Sequence, residues 1–380
     1  MLLSCWRFLF VVMDEICAVV LDLGSDSSKA GFAGEQKPRT VFPSLLGKTK
    51  AEKNSYGYYS KFKFVGYDAL SLNPTEVVSM ERPICRGKVQ DWDAVESILH
   101  YCFYNELRVA PEEHPIFFTE PPNPTERSRE VLTQIMFETF SNPAMFVAPA
   151  SLLALHACHK SSGIVVDFGR NKTDIIPIYN NTVLQSDTKT LQVGGMDISS
   201  HLLHLLSKKN YALSLDTANE IKEKLSYVSY NGKKEERISR FVHDLERVYN
   251  DIHIDTERFL CTEILFHPSL ASIEAQGIDR LILEAANTQP SITNQLLSNI
   301  ILTGGPSKHL RLDKRITEEL HRSAPTLANP SIISAGNEHL SWHGGSMLAN
   351  EETFQFKWIS KEEYDEHGPR IIHRKCAGNK

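Results

Sequence analysis

At 380 residues the chain is too long for one ordinary core, so it predicts two domains or one large composite domain. A composition of 41% hydrophobic and 23% charged residues excludes a disordered chain. The formal net charge of -6 argues against a protein whose main surface grips nucleic acid and leaves room only for a local basic patch.

The chain opens with Met1 to Val12, an apolar run too short to span a bilayer, which needs roughly 20 residues. Arg7 interrupts it, no small-x-small cleavage site follows, and Asp14 and Glu15 come next. We read it as an N-terminal extension over residues 1–13, ahead of a second candidate start at Met13. The run Ile16 to Leu21 is continuously apolar, as in a strand buried on both faces, and delivers Asp22-Leu23-Gly24-Ser25. A returning segment, Lys29 to Gly34, makes this a hairpin whose tip can aim backbone N–H groups at an anion. From Gly47 to Phe64, five lysines alternate with Tyr56, Tyr58 and Tyr59. Such interleaving can bind single strands of nucleic acid, yet no other segment extends the charge into a patch, so a surface loop is expected.

Helical spacing covers Asp93 to Leu107, and Thr125 to Phe140 behind Asn123-Pro124. Ala150 to His159, Ile198 to Leu206, Ala218 to Leu225 and the charged Glu235 to Asn250 also read as helices. The hairpin pattern recurs at Gly163 to Val166, which runs into Asp167-Phe168-Gly169-Arg170 and returns through Ile175 to Tyr179. The two aspartates stand 167 − 22 = 145 residues apart, as an internal duplication would place them. A third strand, Asn299 to Thr303, delivers Gly304 and Gly305, which let backbone approach a base or ribose closely. One Asp-x-Gly turn is common. Three glycine-tipped strands are a far more specific pattern. The seven cysteines show no C-x-x-C pair or zinc spacing and read as reduced thiols of a cytosolic or nuclear protein.

Residues Tyr104 to Pro115, Thr133 to Phe140, and the C-terminal Trp358 to Pro369 with His373-Arg374-Lys375-Cys376 resemble the actin family almost letter for letter. The likeness runs from about Glu15 to Cys376 and is weakest over Thr49 to Lys63 and Asn231 to Asp255. It implies an α/β fold of two duplicated lobes, each with a large and a small subdomain, and ATP or ADP with Mg2+ in the cleft between them. Residues 14–43, 81–157 and 340–380 would form the first large subdomain and 44–80 its small one. Residues 158–193 and 273–339 would form the second large subdomain and 194–272 its small one.

The resemblance casts the glycine-tipped strands as two phosphate loops and an adenosine motif, holding nucleotide through Gly24, Ser25, Lys29, Gly169, Arg170, Gly195, Lys222, Glu223, Gly304 and Gly305. Asp22 and Asp167 match the acidic pair that holds the hydrated cation, and magnesium favours carboxylates while keeping several waters. A plainer reading makes both aspartates loop caps in a chain that has lost nucleotide.

Departures from the family gather in the cleft. Asp26 replaces a glycine in the first loop, adding negative charge where phosphate should sit. Arg170 and Asn171 replace an aspartate and a glycine in the second, with loss of close backbone approach or of a positive φ as the expected cost. Arg170 and Lys172 are expected to offset Asp26, contact phosphate, or simply face solvent. The glutamine and histidine that position the attacking water in actins fall on Ala150 and Asp174, so no catalytic residue is assigned. Glu338 stands where actins carry a lysine near the base.

These changes predict a structural or regulatory subunit, not an active ATPase, whose partners are proteins, including actin or another actin-related protein, with no direct nucleic acid and no membrane. The expected location is cytoplasmic and cytoskeletal, with a nuclear alternative. A filament-forming ATPase is the alternative function, but the loop at 47–64 lacks an apolar tip, and His156 and His159 replace tyrosine and glycine in the receiving groove. A sugar or acetate kinase of related fold would not share the Tyr104 to Pro115 segment.

Overall fold

A computed structural model describes residues 17–49, 52–53, 59–60, 63–230, 246–287, 290–324, 330–334 and 339–376. The N-terminal extension, half of the lysine-rich loop, Glu338 and most of the segment 235–250 lie outside the described residues.

Each continuous apolar run becomes a central strand. Val19–Leu23 pairs antiparallel with Ser27–Phe32 and parallel with Ile116–Glu120, which pairs parallel with Ala144–Pro149. Gly163–Phe168 repeats the arrangement, antiparallel to Thr173–Tyr179 and parallel to Ile300–Thr303, which runs parallel to Ile332–Ser334. Both strands are buried on both faces up to their last residues, as their lack of alternation predicts. The proposed duplication is therefore visible in the pairing itself.

Two large cores follow, one under each sheet. A smaller third core joins them, where helices Ala150–Ala157 and Leu340–Ala349 set Ala154, Leu155 and Leu340 against Val165, Ile176 and Ile301 of the second sheet. The helices cross where Gly344 meets Leu153, since a Cβ on Gly344 would lie 1.9 Å from the Leu153 carbonyl oxygen. Trp342 on the second of these helices is fully buried and its indole donates to the Val20 carbonyl at 2.9 Å. The same helix pair thus seats both central strands.

The predicted helices form, with small changes at their ends. Glu126–Gln134 is capped by Thr125, whose hydroxyl accepts from Ser128 N, and continues as a wider π-turn over Ile135–Thr139. The expectation of a helix from 235 to 250 fails at its end, where Arg247–Tyr249 pairs with Ile252–Ile254 as a hairpin. Asn250 and Asp251 both take positive φ, of 45° and 64°, the two-residue turn that such hairpins favour. Turn chemistry outweighed the helical spacing there. No helix among the described residues is long and apolar enough to cross a membrane.

Candidate functional site

Both central strands end at the same place, and their terminal loops open into one cleft of about 510 Å³. Asp22, Gly24, Ser25, Lys29, Ala150, Asp167, Gly169, Arg170, Asp174, Gly195, Lys222, Glu223, Gly304 and Gly305 all line it. The nucleotide- and cation-site candidates among the described residues are therefore brought to one cavity.

The glycines make the approach possible. Gly169 N donates to Lys172 O at 2.9 Å, closing the second loop tightly. Gly304 has φ +85° and packs so closely that a Cβ would sit 2.2 Å from Phe168 O, so the third loop reaches the cleft only without a side chain there. Replacing a glycine by Asn171 costs no positive φ, because neither Arg170 nor Asn171 has one.

Asp22 accepts from the Thr119 hydroxyl at 2.5 Å and pairs with Lys29 at 3.1 Å. Asp167 faces the same space, and burial, with Asp174 and Asp22 nearby, pushes its pKa up to about 6. A carboxyl lifted by crowded carboxylates is one that a cation would relieve, so the pair fits a magnesium site. No cluster of three or more His, Cys, Asp or Glu among the described residues could hold a metal alone. A cation bound here would complete its shell with water and phosphate.

Arg170 does offset Asp26, as expected, through a direct ion pair across the cleft. Lys172 does not. Its ammonium lies 2.6 Å from Asp174, whose other oxygen accepts from the Thr190 hydroxyl at 2.7 Å. Asp174 is 4% exposed, so an ionic partner is what makes its burial tolerable.

At the far end Lys222 is buried, donating to Asn219 Oδ1 at 2.7 Å and Gly195 O at 3.2 Å, and burial lowers its pKa. Glu223 is exposed and accepts from Asn219 Nδ2 at 2.8 Å. His309, just beyond the third loop, hydrogen-bonds Pro306 O through Nδ1 at 2.7 Å, and burial pushes its pKa down to about 4.

Sequence reasoning missed several residues that shape the cleft. Arg82 donates to Asp26 O at 2.7 Å, Thr119 holds Asp22, and Arg86 reaches Gln192 across the lobes. Asn123 likewise meets Gln185. None carries a local signal, since each is defined only by a partner distant in the chain.

Two lobes of duplicated topology, closing on a cleft with an acidic residue at the end of each central strand, define a two-lobed α/β protein with its candidate site between the lobes. The actin family's sequence model matches residues 13–218 and 213–377, and the chain belongs to the actin family. Members of that family generally bind ATP or ADP with Mg2+ and commonly assemble with other proteins.

Proposed function

We propose that this protein is a divergent actin-related subunit, structural or regulatory, that holds ATP or ADP with Mg2+ in its cleft and hydrolyses it little or not at all. Asp22 and Asp167 would hold the hydrated cation, which supplies charge neutralisation for the phosphates. Gly24, Ser25, Lys29 and Gly169 would face the phosphates, and Gly195, Lys222, Glu223, Gly304 and Gly305 the ribose and base.

The observation that carries the reading is the state of the two water-positioning places. Ala150 offers only a methyl group, and both carboxylate oxygens of Asp174 are already engaged by Lys172 and Thr190. Phosphoryl transfer depends on positioning and electrostatics, so a cleft that cannot orient water binds without turning over. Phosphate release at saturating Mg-ATP is the test. Turnover matching a polymerised actin control, and lost in Asp167→Ala, would overturn the proposal.

The expected partners are proteins in a larger assembly, cytoskeletal or chromatin-remodelling, in the cytoplasm or, alternatively, the nucleus. The groove residue His156 supports a subunit that does not self-polymerise, because it sets a polar ring, its Nε2 3.5 Å from Glu351 Oε1 and without a hydrogen bond, where actins carry tyrosine. Sedimentation in magnesium and potassium salt should leave the protein in the supernatant. Pelletable helical filaments at micromolar concentration would favour the filament-forming ATPase instead.

A further inference from the structure

The first and second phosphate loops belong to different sheets, yet they are fastened to each other. Arg170 Nη1 pairs with Asp26 Oδ1 across 144 residues of sequence. Arg82, from the first lobe, lies 3.4 Å from the same carboxylate oxygen. One carboxylate is thus bracketed by two guanidinium groups, one from each lobe. Planar guanidinium forks bind carboxylate and phosphate by the same geometry.

The backbone of Asp26 is pinned independently of its side chain. Its carbonyl accepts from Ser44 N at 2.9 Å and from Arg82 Nη1 at 2.7 Å. The side chain is 58% exposed, so it can swing without the loop moving. Arg170 is 18% exposed, and both residues line the cleft. The acidic residue is therefore replaceable, while the arginine stays in place to receive what replaces it.

We propose that Asp26 is an internal stand-in for phosphate, which latches the empty cleft shut through Arg170 and must be displaced by an arriving nucleoside polyphosphate. The nucleotide half of this rests on the function proposed above, whereas the latch itself does not. Arg170 exchanges one anion for another, so the cleft keeps its cross-lobe bridge whether filled or empty. Asp26 opposes binding twice, as a competitor for Arg170 and as a like charge beside the phosphates.

The test uses the full chain stripped of nucleotide, with Asp26→Asn and Arg170→Ala. Affinity for Mg-ATP and Mg-ADP is measured by calorimetry, and hydrogen exchange is followed at residues 24–27 and 169–172 without ligand. Asp26→Asn should tighten both nucleotides roughly two- to fivefold, since an exposed pair competes only weakly. Arg170→Ala should weaken them by about ten- to a hundredfold through loss of a charge-assisted phosphate contact. Both variants should speed exchange in both loops of the nucleotide-free protein. Unchanged or weakened affinity in Asp26→Asn, with unaltered exchange, would overturn the latch. If the wild type and both variants bind no nucleotide, the proposed function falls and the exchange data alone decide, faster exchange supporting the latch and unchanged exchange sinking it.

Discussion

In the hairpin of Val19–Leu23 with Ser27–Phe32, Asp22 sits opposite Lys29, whereas in that of Gly163–Phe168 with Thr173–Tyr179, Asp167 sits opposite Asp174. The backbone plan is shared and the electrostatics are inverted. A cross-strand pair of opposite charges is favourable, and like charges directly opposite are not. The first hairpin satisfies its aspartate within two strands. The second needs Lys172 from the loop to neutralise Asp174, and still leaves Asp167 with a raised pKa. Duplication supplied two equal scaffolds, and the second was left carrying the raised carboxyl that an outside cation would relieve.

The largest expected effect tests whether the second hairpin depends on its close neighbour. Gly304→Ala should destabilise the protein by about 3 kcal/mol in urea titrations, because it combines positive φ with a backbone clash. Gly305→Ala, with open space around its Cβ, should stay within about 0.5 kcal/mol. Equal losses in the two would remove the special packing of Gly304 on Phe168.

Removing the two lysines addresses the contrast directly. Lys172→Met should cost about 2 kcal/mol, because Asp174 is left buried with a single hydroxyl donor. Lys29→Met should cost about 1 kcal/mol, since Asp22 is more exposed and keeps Thr119. Thermal melts that rank the two the other way would break the comparison.

A gain of function sharpens it further. Ala150→Gln combined with Asp174→His returns both water-positioning groups and frees the second hairpin from its like-charge pair. Phosphate release should rise by about tenfold, equivalent to about 1.4 kcal/mol of barrier. No rise, with nucleotide still bound, would place the block elsewhere in the cleft.

The smallest effect is acid sensitivity at His309 in the second lobe. His309 protonates at about 4 in the fold against an ordinary 6.5, so the unfolded chain binds the extra proton between those values. Its contribution is intact above pH 6.5 and is lost as pH falls towards 4. His309→Gln should remove roughly 1 kcal/mol of that loss, read from denaturant midpoints at pH 7 and pH 4.5. Parallel pH profiles for the two proteins would show that the ring is not the sensor.

The sequence by itself determined the two central strands, their glycine tips and the paired Asp22 and Asp167. Those features are local, because a continuous apolar run ending in Asp-x-Gly has few conformations that bury it and satisfy its backbone. It also identified Ala150, Asp26 and Arg170 as departures from the family in the cleft. Only the tertiary structure decided which charges meet. Lys172 turned to Asp174 rather than Asp26, Arg82 arrived unannounced, and Asn171 needed no positive φ. The hairpin at Arg247–Tyr249 likewise overrode a helical spacing through its turn. Ion-pair choice depends on distance and burial across the folded chain, on the scale of a few ångströms, and neither quantity is written in the spacing of residues along it.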